Sequence, residues 1–153
     1  MTTDVATRES PWASWDQKMK FAETLVKTGF LPKAITTPAQ ALAIILTGQE
    51  LDIPPMHSLR SIHVIEGKPT LSSELMLALM LRGGVICTWL DSNDQRAILR
   101  AKRGNTEFTG TFTIEDAKRA KLTGKIGWQF YPEAMLRARV IAVVARVVGP
   151  DLI

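Results

Sequence analysis

Residues 85–113 read VICTWLDSNDQRAILRAKRGNTEFTGTFT, three β-prone runs cut by two short polar breaks. The runs are Val85 to Asp91, Gln95 to Arg103 and Thr106 to Thr113, and the breaks are Ser92-Asn93-Asp94 and Gly104-Asn105. Connections this short join antiparallel neighbours, because a parallel pair needs a crossover of a dozen residues or more. The stretch therefore predicts a three-stranded antiparallel meander. Side chains alternate along a strand, so in the middle run Ala97, Leu99 and Ala101 share one face while Arg96, Arg100 and Lys102 share the other, with Ile98 as the exception. One face is apolar and one is basic.

Before the meander the texture is helical. Trp15, Met19, Ala22, Leu25 and Val26 recur at helical spacing behind Ser14, a capping residue, and Gly29 supplies the stop. Thr37-Pro38-Ala39-Gln40 reads as a capping box with proline at the first helical position, and the apolar Ala41 to Leu46 follows it. Pro54-Pro55 interrupts the chain, and Met56 to Leu59 is read as a short helical turn. Ser61 to Glu66 and Gly67 to Leu71 read as a hairpin. Ser72 or Ser73 then starts a helix that buries Leu75, Met76, Leu79 and Met80 and ends at Gly83-Gly84.

After the meander, Thr113-Ile114-Glu115-Asp116 opens a short helix, Thr123 to Gly127 reads as a flexible basic loop, and a last helix runs from near Pro132 through Val148 to the stop at Gly149-Pro150. Residues 1–13 are polar and aperiodic and are read as a flexible leader, with 14–153 as a single α+β nucleic-acid-binding domain. The chain of 153 residues has no apolar run that reaches the roughly 18 residues of a membrane span, and its start lacks the layout of a secretory signal. A cytoplasmic location is expected.

Catalytic chemistry finds little material. Cys87 is the only cysteine, which excludes an internal disulfide or a thiolate metal cluster, and a small strand residue is the simpler reading of it. His57 and His63 lack metal-ligand spacing. Gly67-Lys68-Pro69-Thr70 lacks the upstream glycine of a phosphate-binding loop, and its proline removes an amide donor. Glu115 and Asp116 are explained by the positive end of a helix. No enzyme activity, cofactor or metal is expected.

The charge pattern is more informative. From Arg96 to Arg146 there are eleven Lys and Arg against four Asp and Glu, a balance of +7, whereas residues 1–95 carry eight basic and ten acidic groups. Clustered positive charge attracts a polyanion, and a nucleic acid backbone is the natural candidate. Trp128, Phe130 and Tyr131 lie between Lys125 and Arg137, where a ring can stack on a base or dock its segment onto the core. Arg137 is spaced to pair with Glu133, and Arg139 shares a helix face with Arg146 while interrupting an apolar run.

Gly67-Lys68-Pro69, the run Leu81-Arg82-Gly83-Gly84-Val85, the meander, and Trp128 through Pro132-Glu133-Ala134-Met135-Leu136-Arg137-Ala138-Arg139 together resemble the RecT/Red-beta family of phage single-strand annealing proteins, over roughly residues 38–149. Members of that family continue beyond the counterpart of the last helix, so a short or truncated member is expected. The resemblance implies ATP-independent binding of single-stranded DNA and annealing of complementary strands in phage-type recombination, by a ring or filament of subunits, often beside a phage exonuclease. It implies backbone contacts from Arg137 and Arg139, with Arg100, Lys102, Lys125 and Trp128 as further DNA-binding candidates. The competing expectation is a small, non-enzymatic interaction protein, a phage-derived inhibitor or regulator, whose basic face binds an acidic protein surface.

Overall fold

A computed structural model describes residues 14–153, so the expected leader at 1–13 lies outside the described residues. The fold is α+β, with seven helices and two antiparallel sheets among the described residues. The residues read from sequence as one domain group into two compact units, one ending at Thr70 and one spanning Leu71–Ile153.

In the first unit, α1 (Trp15–Lys27) is capped by Ser14, whose hydroxyl accepts from the Gln17 amide at 3.2 Å. The expected capping box starts α2 (Pro38–Glu50): Gln40 Oε1 accepts the Thr37 amide at 3.2 Å while Thr37 Oγ1 accepts the Gln40 amide at 3.2 Å. The predicted helical turn is α3 (Pro55–Ser61), and it closes on α2 at Gly48, where an added Cβ would collide with the buried Ser58 side chain. A hairpin follows, with β1 (Ile62–Ile65) and β2 (Lys68–Leu71) joined through Glu66 and Gly67, both at positive φ, as a tight twisted turn demands. Ala22, Ala41, Leu42, Ile45, Leu59 and Ile62 form this unit's buried centre.

In the second unit, α4 (Ser73–Arg82) leads into the meander β3 (Ile86–Ser92), β4 (Arg96–Arg103) and β5 (Thr106–Thr113), in that spatial order with β4 central. The register sets Ala101 between Cys87 and Phe108, and Leu99 between Trp89 and Gly110; a bulge at Leu90 shifts the β3 register by one residue. Ala97, Leu99 and Ala101 are fully buried, as the alternation predicts. Against that face lies α7 (Pro132–Val148), which contributes Leu136, Val140, Ile141, Val144 and Ala145 to the core beside Met76 and Met80 of α4.

Two short helices bridge sheet and α7. A second capping box, Thr113 with Asp116, starts α5 (Ile114–Arg119). The expected flexible loop at 123–127 is corrected in part: Ile126–Phe130 is a helix, α6, held down by Trp128. The last residues are fastened too. Arg103 donates to both carboxylate oxygens of Asp151, at 2.6 and 2.9 Å, and Leu152 fills the space beside Gly83 and Gly149.

Candidate nucleic-acid interface

The six sequence-predicted residues do not share one surface. Residues Arg100 and Lys102 lie on the outer face of the sheet, the face that α7 leaves uncovered, together with Arg96 and the partly buried Ile98. Register adds Ile86 and Thr88 from β3 and Thr109, Thr111 and Thr113 from β5. The inward parity takes Trp89, Phe108 and Phe112, so the paired residues of the three strands place no aromatic ring on the outer face. Alternate positions on a strand are about 7 Å apart, which spaces the β4 cations along an extended track.

Two of those cations already have counter-charges. Arg96 Nε lies 2.6 Å from Asp91 Oδ2, and Arg100 Nε lies 3.7 Å from Glu107 Oε1. The Arg96 hydrogen bond holds the Asp91 carboxyl below its ordinary pKa. All four side chains reach solvent, so each pair is weak and a competing anion can replace the carboxylate. Lys102 stands opposite Glu107 in register with no ion pair of its own among the described residues.

Arg137 occupies a different place. Its guanidinium lies 5.7 Å over the Trp89 ring, Nε donates to Ser92 Oγ at 2.6 Å, and the same group pairs with Glu133. Ser92 Oγ donates onward to Glu133 Oε1 at 2.8 Å, and that bond, with Arg137 second, holds the Glu133 carboxyl below its usual range. The predicted i,i+4 pair is present, and Ser92 and Trp89 are partners that sequence reasoning missed. Trp89 stands in the middle of β3 and Ser92 at its end, and chain order alone does not connect either to the start of α7. Half-exposed, Arg137 is a wall of an open groove of about 410 Å³ lined also by Asp94, Gln129, Phe130, Tyr131 and Ala134.

Arg139 lies two residues further along α7, about 200° around the helix. It is exposed on the side away from the core, with Arg146 one heptad on. The two arginines expected to contribute backbone contacts, Arg137 and Arg139, therefore lie on different sides of α7. Lys125 is exposed at the start of α6. Trp128 is 7% exposed, with its ring centroid 6.4 Å from that of Phe112, so the core uses its face and no base can stack on it. Its neighbours Phe130 and Tyr131, at 70% and 68% exposure, carry the solvent-facing rings of this segment.

Among the described residues no group of three or more His, Cys, Asp or Glu could hold a metal ion, and no helix is long and apolar enough to cross a membrane. Burial pushes the Cys87 thiol up, away from the thiolate that a nucleophile needs. Compared with models of known protein families and with curated protein sequences, the chain matches none.

Proposed function

We propose that this protein binds single-stranded DNA through the outer face of the β3-β4-β5 sheet and anneals complementary strands without ATP, in phage-type homologous recombination. The observation that carries this reading is the makeup of that face: Arg96, Arg100 and Lys102 in a row, threonine hydroxyls beside them, and no aromatic ring among the paired strand residues. Cations and hydroxyls hold phosphates, whereas rings would take bases out of reach. A strand held by its backbone keeps its base edges free for a complement. Annealing requires that arrangement and no covalent chemistry. Homo-oligomerisation as a ring or filament, and cooperation with a phage exonuclease, belong to the same proposal.

One observation favours a second reading. Arg96 and Arg100 are each matched by an acid, so the face is mixed in charge, as suits a protein partner better than a polyanion. Labelled single strands titrated at several salt concentrations, then mixed with their complements, separate the two. The DNA reading expects salt-sensitive binding, with a log–log slope of roughly −0.7 for each phosphate neutralised, followed by annealing. No detectable binding at low salt eliminates it and leaves the interaction protein. Loss of binding in Arg100→Ala/Lys102→Ala, with folding intact, assigns the face.

A further inference from the structure

The first unit has a cavity of about 240 Å³ that the proposed DNA face does not use, lined mainly by Pro32, Ala34, Ile35, Ile44, Leu59 and Val64, with Gln40 and His63 as its polar members. Its lining is predominantly apolar and its volume suits one aromatic ring rather than a cofactor, for which sites run to roughly 300 Å³ and above. Two residues before the lining begins stands Phe30, 82% exposed, more than any other large hydrophobic side chain among the described residues. It is not on a loose segment. Gly29 turns the chain at positive φ, the Phe30 amide donates to Thr28 Oγ1 at 3.2 Å, and the Ile35 amide donates to the Pro32 carbonyl at 2.9 Å. One short turn thus presents a preorganised ring to solvent and builds part of an apolar hole with the residues that follow.

We infer that the cavity is the receptor for Phe30 of a second copy of this chain. The charge distribution agrees with that occupant. From Ser14 to Thr70 there are six basic and five acidic residues, so this unit approaches its own copy nearly free of repulsion, whereas Leu71–Ile153 carries twelve basic against eight acidic. Association through the neutral unit leaves the basic unit's charge available to a polyanion. Knob and hole lie in one unit, so each copy offers both, as self-association requires. The inference deepens the self-association part of the proposed function and does not rest on DNA binding.

Sedimentation velocity of the full chain without DNA, over a wide concentration range, tests it. The wild type is expected to associate with rising concentration. Phe30→Ala lacks the knob, and Ala34→Trp, placed at the exposed rim, fills the hole; each is expected to stay monomeric with an unchanged circular dichroism spectrum. Val64→Trp, on β1 and also exposed, is a second filler should the first disturb folding. An equimolar mixture of Phe30→Ala and a filled variant has one intact knob and one intact hole between them, and is expected to regain a two-chain species. A monomeric wild type, variants that associate as well as wild type, or a mixture that stays monomeric overturns the inference. Failure of DNA binding, read separately on the same samples, would leave it standing.

Discussion

Gly110 shows how closely the second unit is built. It faces inward from β5 opposite Leu99, and a Cβ there would come within 2.6 Å of Val144 Cγ2 and 3.2 Å of Val140 Cγ2 on α7. Gly110→Ala is expected to push α7 off the sheet and to destabilise by about 1–3 kcal/mol, measured by urea denaturation; an unchanged midpoint would mean that the helix yields freely. Three carboxylates report on the same unit. Asp91, Glu133 and Asp151 are held below their ordinary range chiefly by hydrogen bonds from Arg96, Ser92 and Arg103 respectively. Since each folded pKa is depressed, the stabilisation is complete above the unfolded value, about 4, and is lost as pH falls through the folded one. Melting temperature should therefore drop across the acid range below about pH 4, and Asp151→Asn should make that drop shallower. An identical profile for the variant would remove the Arg103 pair from the account. At this scale the Glu133–Arg137 spacing was legible, but the Ser92 bond, made across 45 residues, was not.

Helix starts were the most legible elements, because a capping box is local chemistry written within four residues. The box at Thr37 to Gln40 was readable in full, and the structure adds one at Thr113 to Asp116, where Thr113 closes β5 and caps α5 at once. The Asp116 carboxylate accepts both the amide and the hydroxyl of Thr113 at 2.9 Å. Thr113→Val keeps the β-branched shape and deletes the hydroxyl, so a loss of about 1 kcal/mol with an unchanged denaturant slope is expected in urea titrations. A loss near zero would show that the amide bond alone suffices. Helix α6 escaped the reading for the opposite reason. Five residues are too few to show a helical period, and its place is set by Trp128 in the core and by Gly127, which lets Met135 approach.

Across the whole molecule the charge asymmetry is distributed rather than focused. The basic residues of the second unit occupy the outer sheet face, the Arg137 groove, the far side of α7 and the surface of α5, and six ion pairs among the described residues engage part of them. If the sheet face carries the DNA, Arg100→Ala/Lys102→Ala should weaken binding and flatten the salt slope by roughly 1 to 2, whereas Lys18→Ala/Lys20→Ala in the near-neutral unit should change neither. Equal losses in both variants, read by fluorescence anisotropy at several salt concentrations, would point to diffuse attraction instead. The sequence by itself determined the order and kind of nearly every element, the alternation that turns Ala97, Leu99 and Ala101 inward, and the excess of positive charge, because caps, turns and strand parity act over a few residues. Tertiary structure alone decided which cations stand together, that Arg137 is bound to Ser92 and Trp89 while Arg139 faces the other way, and that Trp128 belongs to the core. Those facts depend on which distant segments pack against each other, and packing is settled by shape and burial across the fold rather than by neighbours along the chain.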